Sequence, residues 1–484
     1  MSAPLAGGAG GPAALRPLVE QVLAALAAGA ERRGGPLPPG PPGLLAEQTA
    51  GALAAGQDPD ALLRLTEFLA YGSADPADPH CAAHLHCPPL ALAVAADLAV
   101  SALNPSLDSW DQAPVATTLE TELLGELAAL VGFPADRAAG VFTSGGTESN
   151  LMGLLLARDQ ILPGDPELDG LPAGLSPQIV ASAAAHFSVQ RAAAVLGLGE
   201  RAVRTVPVDR DQRMDPDALA RVLAETVSEG GTPVAVVATA GTTDTGAIDP
   251  LHRAADLAAE YGSWLHVDAA YGGGALLSDR LAPLLDGIAR ADSVSLDFHK
   301  LGWQPTAAGV FLVRRAATYA SLARRAVYLN PADDERAGYP SLLGHSLRTT
   351  RRADVFKLAV TLRTLGREAL GALVEACHDL ARTAAAAVEA DPALELHTTP
   401  VLTTVVFRYL PAGADPAETD RCNAELRRHL LRTGQAVVGR TELPGEGPGR
   451  VRLKLTLLNP HTAPAEVAAL LAKVVTAGRT VEKA

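Results

Sequence analysis

A lysine closes the alternating apolar run Ser293-Val-Ser-Leu-Asp-Phe-His299-Lys300. Where a strand runs out, a lysine amine can be held and partly desolvated, which suits imine chemistry. A second segment, Thr143-Ser-Gly145-Gly146-Thr147-Glu-Ser-Asn150, follows another apolar run and opens a helical pattern from Leu151 to Asp159. Its glycines let backbone N–H groups approach an anion, the helix N-terminus adds a favourable dipole, and Ser144, Thr147 and Ser149 offer hydroxyls. This is a phosphate cradle or, equally, a Gly-rich turn before a capped helix. Neither the Walker pattern nor the GxGxxG fingerprint is present.

Two more run ends carry chemistry. Asp268, in His266-Val-Asp268-Ala-Ala270-Tyr271, is a carboxylate in an apolar setting, costly unless it meets a cation or strong donor. A protonated pyridine nitrogen is one such partner, and a turn-capping role is the alternative. His186, after Ser182-Ala-Ala-Ala, offers a flat imidazole that could stack on an aromatic cofactor or serve as a structural hydrogen-bonder. A fourth end, Thr239-Ala-Gly-Thr242-Thr-Asp-Thr-Gly246, adds hydroxyls and a tight turn. A cradle, an imidazole, a carboxylate and a lysine together match the phosphate, flat ring, ring nitrogen and aldehyde of pyridoxal 5′-phosphate.

The elements that must position these groups are seven short apolar runs alternating with helical patterns. They are 140–143, 178–182, 202–206, 234–239, 264–268, 293–297 and 309–313. Such alternation predicts an α/β architecture with a mostly parallel sheet, whose ligands gather at the carboxyl ends of the strands. Before it, Leu15 to Ala28, ended by Gly29, Leu90 to Leu103, and Thr118 to Val131 read as helices. The last follows a possible capping box, Thr117 to Glu120. The stretch 34–42 is rich in Gly and Pro and reads as a flexible lead. After it all, 352–390 reads as two long helices, and 402–407, 420–433 and 450–456 suggest a small α+β domain. The expected division is 1–78 as lead and helical segment, 79–365 as large domain and 366–484 as small C-terminal domain.

Composition narrows the function. The 484 residues are 48% hydrophobic and carry a formal charge of −14, with no basic stripe, so no nucleic-acid or anionic-membrane partner is expected. No uninterrupted apolar run reaches the ~20 residues of a membrane span, and no secretory signal is evident. Four cysteines are too few for a disulfide framework. A soluble cytoplasmic protein is the expectation.

These segments, with Thr349-Thr-Arg351-Arg352-Ala-Asp-Val-Phe-Lys357 and Leu453-Lys-Leu-Thr-Leu-Leu-Asn-Pro460, carry a resemblance. The chain resembles the group II pyridoxal-phosphate-dependent decarboxylases, the aromatic-amino-acid, glutamate and histidine decarboxylase group. It is most similar there to bacterial L-2,4-diaminobutyrate and siderophore-type lysine decarboxylases. The likeness spans roughly residues 78 to 475. It implies a fold type I transferase architecture: a large domain on a mostly parallel seven-stranded sheet plus a small C-terminal α+β domain. By the resemblance, Lys300 bonds the cofactor as an imine, Asp268 pairs with the pyridinium nitrogen and His186 stacks on the ring. Gly145, Gly146, Thr147 and His299 hold the phosphate, with Thr242 and Ala270 beside the cofactor. Tyr328, in Ala326-Val-Tyr328-Leu-Asn330, matches a mobile-loop tyrosine that protonates the substrate carbon and reaches the neighbouring subunit's site, implying a homodimer.

The reaction so implied is decarboxylation of an L-amino acid to its amine and CO2. A basic diamino acid (lysine, ornithine or 2,4-diaminobutyrate) is the expected substrate. A branched or aliphatic amino acid, an oxidative aldehyde synthase on the same cofactor, and a catalytically silent binding subunit are the alternatives. The chain departs from the family in Asp78-Pro79-His80-Cys81-Ala-Ala-His84-Leu-His86-Cys87-Pro88, where Asp78 replaces a histidine and Cys81 an aromatic. Cys81, His84 and Trp110 are therefore candidate pocket residues. The His/Cys cluster lacks the spacing of a known zinc site, and no metal is expected. Arg351 and Arg352 could meet substrate or partner carboxylates, or sit at a helix start.

Overall fold

The structure, a computed structural model, describes residues 4–54, 56–444 and 449–483. The chain divides into two compact units, one formed by residues 89–376 and the other by residues up to 88 together with those from 377 onward.

All seven apolar runs are strands of one sheet in the unit 89–376: β1 (Ala139–Thr143), β2 (Pro177–Ser182), β3 (Val203–Val206), β4 (Thr232–Thr239), β5 (Trp264–Ala269), β6 (Ser293–Asp297) and β7 (Gly309–Val313). Their order is β1-β7-β6-β5-β4-β2-β3. Only β7 runs antiparallel to its neighbours; the other pairs are parallel. Strands β5 to β7 are buried throughout and β4 nearly so, because helices cover both faces; this is why the runs read as continuous rather than alternating. The helix Gly146–Ile161 packs across β4 to β7, its Met152, Leu154 and Leu156 fully buried.

β7 does the positioning. Its first residue, Gly309, pairs with Thr143 at the end of β1 and with Asp297 at the end of β6. It brings the glycine loop and the lysine segment to the same edge, two strand spacings apart. A Cβ on Gly309 would lie 2.4 Å from Thr143 Oγ1 and 2.5 Å from Gly145 Cα, so only glycine permits this approach.

The other unit holds a four-stranded antiparallel sheet of order β10-β11-β9-β8: β8 (Leu394–Leu396), β9 (Thr404–Tyr409), β10 (Gly439–Glu442) and β11 (Val451–Thr456). Helices Pro416–Arg432 and Pro464–Glu482 pack on it around Phe407, Leu426, Leu453 and Leu470. The two helices expected over 352–390 form a helical run Val355–Ala390, broken at Gly366 by φ 76.

Four expectations need correction. The divisions fall at 88/89 and 376/377, not at 78/79 and 365/366, and the N-terminal segment joins the C-terminal sheet. The joint is a bridge between Cys81 and Val437, with Ala82 N–H donating to Val437 O and Thr456 N–H to Ala82 O. The stretch 34–42 is irregular but not a free lead: Pro36 and Pro38 are buried, and Gly40 N–H donates to Arg432 O. The first helix passes Gly29, running Gly11–Arg33, because Gly29 is a packing position: a Cβ there would lie 2.4 Å from Glu67 O on the neighbouring helix Ala61–Gly72. Among the described residues this helix alone is long and apolar enough, by length and composition, to cross a membrane. Finally, Glu120 does not cap. The helix starts at Pro114, and Glu120 lies inside it, buried against Arg351.

Candidate active site

The carboxyl edge of the sheet assembles most of the expected groups. Asp297, the last residue of β6, is nearly buried and accepts from Gly146 N–H at 3.1 Å. The same Oδ2 lies 3.1 Å from Lys300 Nζ and 3.4 Å from His299 Nε2. One carboxylate thus ties the cradle to the lysine, although its residue carried no role in the sequence reading. The available signal was an acidic residue ending an otherwise apolar strand three positions before the lysine. Burial lowers the basicity of His299.

Gly145 sits at φ 151, against the His299 ring, and Gly146 begins the helix Gly146–Ile161. A Cβ on Gly146 would come within 2.9 Å of Ala270 Cβ, so only glycine fits this approach. Thr147, in the first helical turn, is exposed. Glu148 accepts from Ser144 N–H at 2.7 Å, closing the loop from the other side.

Asp268 is 6% exposed at the end of β5 and is fully engaged. Asn150 Nδ2 donates to its Oδ2 at 2.7 Å; Ser295 Oγ and Ala270 N–H donate to its Oδ1 at 3.3 and 3.1 Å. These donors stabilise a buried charge that would otherwise be costly. The second Asn150 N–H reaches Ser188 Oγ, which lies 2.9 Å from His186 Nδ1, so Asp268 and His186 share one network. Burial lowers the His186 pKa against the pull of Asp268, keeping the ring neutral near pH 7. Asn150, Ser188 and Ser295 had no assigned role in the sequence reading, because their partners come from three separate elements.

The remaining expected residues have contacts of their own. Thr242 is buried, with its hydroxyl tied to Thr245 Oγ1 and Ala247 N–H within its own turn. Tyr328 is 83% exposed and lines a cavity of about 390 Å³ with Trp110, Asp111 and Tyr339. Trp110 meets Tyr339 edge-on at 5.0 Å. Cys81 and His84 belong to the other unit. There the Cys81 thiol is pushed up to about 12 by burial, and burial lowers the His84 pKa. Among the described residues, no group of three or more His, Cys, Asp or Glu is placed to hold a metal ion.

The arginines after the Tyr328 segment turn inward. Arg351 is 2% exposed and bonds Glu120, which also accepts from Phe142 N–H on β1. Arg348 pairs with Glu148 and donates to Phe142 O. Arg352 instead pairs with Asp97 and Asp354.

A glycine loop at a helix N-terminus, a lysine amine, a shielded carboxylate and a neutral imidazole at one sheet edge fit pyridoxal phosphate. Fold and site define a fold type I pyridoxal-phosphate enzyme. The model of the pyridoxal-dependent decarboxylase conserved domain matches residues 50–410. L-2,4-diaminobutyrate decarboxylase of Rhizobium meliloti (strain 1021) is 46% identical over 406 residues, covering 84% of this chain and 79% of that protein. The enzyme of the same name from Acinetobacter baumannii is 40% identical over 436 residues, 87% of this chain and 84% of that one. A solved structure from Vibrio parahaemolyticus superposes with a TM-score of 0.87 at 35% identity, covering 98% of both chains. Its description is the glutamate decarboxylase domain of diaminobutyrate-pyruvate transaminase and L-2,4-diaminobutyrate decarboxylase. The chain belongs to the pyridoxal-dependent decarboxylase family. It is an amino-acid decarboxylase whose cofactor is pyridoxal 5′-phosphate.

Proposed function

We propose that this enzyme decarboxylates a basic diamino acid, 2,4-diaminobutyrate before lysine or ornithine, as a cytoplasmic homodimer. The observation that carries the site assignment is the single edge on which Asp297 joins Gly146 N–H to Lys300 while Asn150 joins Asp268 to His186. The substrate assignment draws its support from the two relatives named for 2,4-diaminobutyrate.

Lys300 would hold pyridoxal phosphate by its aldehyde, and Asp268 would meet the ring nitrogen. His186 would cover the ring, and Gly145, Gly146, Thr147 and His299 would take the phosphate, with Ala270 and the Thr242 turn beside them. Bound there, pyridoxal phosphate supplies an electron sink for the pair released as CO2 leaves. Asp268, negative and held by three donors, favours a protonated ring nitrogen and so strengthens that sink. The neutral His186 covers the ring without adding positive charge. A proton must then replace CO2 on the substrate carbon, and the Tyr328 hydroxyl delivers it from a partner subunit. Its exposure within one chain favours that assignment. Exposed Leu18, Leu23, Leu26, Leu62, Leu65 and Leu69 offer apolar surface for a second copy.

An amino-acid panel read by mass spectrometry tests the substrate. Appearance of 1,3-diaminopropane, with CO2 and without O2 uptake, is expected from 2,4-diaminobutyrate. Amines from aliphatic amino acids alone, or aldehyde with O2 uptake, would overturn the assignment. Mixing inactive Lys300→Ala and Tyr328→Phe subunits should restore part of the activity; no restoration would place Tyr328 outside the partner's site.

A further inference from the structure

We propose that Asn150 is a positioning residue, the hub of a buried one-way hydrogen-bond chain that fixes His186 as the imidazole protonated on Nε2 alone. The inference rests on the assignment of Asp268 and His186 to the cofactor ring.

The direction of the chain is set at the Asp268 end, where the acceptor has no choice, and the Trp264 end agrees with it. Trp264 Nε1 lies 2.8 Å from Ser293 Oγ, and an indole N–H can only donate. Ser293 so keeps its own proton for His266 Nδ1, also at 2.8 Å. That nitrogen must then accept, and His266 donates from Nε2 to Asn150 Oδ1 at 2.9 Å. The single Ser295 hydroxyl proton is shared between the same oxygen, at 2.9 Å, and Asp268 Oδ1, at 3.3 Å. At the other end the Asp268 carboxylate only accepts. The amide nitrogen of Asn150 must face it at 2.7 Å, because a reversed amide would set two oxygens against each other. The Asp268 end thus demands this amide orientation, and the Trp264 end is satisfied by it.

The consequence reaches His186. The second Asn150 N–H donates to Ser188 Oγ at 2.9 Å, leaving the Ser188 proton for His186 Nδ1 at 2.9 Å. The Ser188 backbone N–H points at the same nitrogen from 3.3 Å. Two donors on Nδ1 require its lone pair, so the ring carries its proton on Nε2. Water is not at hand to substitute: Asn150 and Ser188 are each 1% exposed, and His266, Ser293 and Ser295 are fully buried. Burial also pushes the His266 pKa down to about 4, which keeps that link neutral. The charged groups acting on His186 are Asp268, Asp297, Asp244 and Lys300. His186 therefore meets whatever lies at its Nε2 as a hydrogen-bond donor, not as a base.

Holoenzyme labelled with 15N-histidine tests this by long-range proton–nitrogen spectra, with His186 assigned from its loss in His186→Gln. The expected signature is a pyridine-type Nδ1 and a pyrrole-type Nε2. Ser188→Thr should keep it, since the hydroxyl survives, while Ser188→Ala should mix the two forms. Asn150→Asp has at most one proton to give, and Asp268 takes it. The Ser188 hydroxyl then turns to residue 150, and the His186 proton shifts toward Nδ1. In Asn150→Asp and Ser188→Ala we expect kcat to fall on the order of 10-fold, the worth of one lost buried hydrogen bond, with KM held. A pyrrole-type Nδ1 in the wild type, or an unchanged signature in both Asn150→Asp and Ser188→Ala, would overturn the proposal. Should Asn150→Asp not fold, the contrast between Ser188→Ala and Ser188→Thr decides alone. The spectra need no turnover, so failure on every diamino acid would sink the substrate assignment and leave this inference standing.

Discussion

The edge around Lys300 and the segment around Tyr328 lie in the same unit and are built in opposite ways. At the edge, Asp268, Asp297 and Asn150 are buried, and each has a partner from another element. Around Tyr328 the chain is irregular, and its bonds are local: Asn330 Oδ1 accepts from Ala326 N–H, and Asn330 Nδ2 donates to Arg324 O. Only beyond it, at Arg348 and Arg351, is the segment moored to β1 and the glycine loop. Under the proposed assignment, groups needed before substrate arrives are fixed by packing, and the proton donor, needed only after the carbon–carboxylate bond breaks, stands on an exposed segment held by local bonds.

That contrast can be broken in several ways. Lys300→Ala should abolish decarboxylation and the visible absorbance of lysine-bound cofactor while leaving the far-UV circular dichroism intact. Residual yellow enzyme with turnover would remove Lys300 from its role. Tyr328→Phe comes next: kcat should fall by about 10³-fold, the scale of a lost proton donor, with rising aldehyde by-product. Its melting temperature should move little, since loss of one hydroxyl leaves the ring and its packing in place. Unchanged kinetics would return Tyr328 to the surface.

Arg351→Ala attacks the mooring instead. It leaves Glu120 buried without its cation, and chemical denaturation should register a loss of about 3 kcal/mol. Normal stability would mean that the pair is dispensable.

The smallest effect is a pH dependence of stability. His266 is held at about 4 when folded against an ordinary 6.5, so the unfolded chain binds more protons between these values. Stability contributed by this ring is therefore complete above pH 6.5 and is lost as pH falls towards 4. Between about pH 7.5 and about pH 5 the loss amounts to about 2 kcal/mol. Asp249, raised to about 6 by burial, acts in the opposite sense, so the comparison should be made with His266→Gln. Equal slopes for the two proteins would show that His266 does not titrate in this way.

Much of the edge was legible in the sequence because each strand carries its own signal. A continuous apolar run fixes a buried strand, and a polar residue at its end is conspicuous against it. Lys300, Asp268, His186 and the Gly145–Gly146 loop are conspicuous in this sense. Asp297 and Asn150 were not, because nothing local shows what they touch. Gly146 lies 151 positions from Asp297 in the chain, and Asp268 lies 118 from Asn150. Glu120 was misread as a cap because its position suits one; only the arrival of Arg351, 231 residues on, makes it a buried partner.

The sequence by itself determined which residue types stand at the strand ends, and hence the cofactor, since hydrophobic periodicity is a local property of the chain. Tertiary structure decided the strand order that sets Gly309 between β1 and β6, the joining of the N-terminal segment to the C-terminal sheet, and the network that joins Asn150 to Asp268, His266 and Ser188. Hydrogen-bond partners and close backbone approach depend on distances between segments far apart in the chain, which no local pattern encodes.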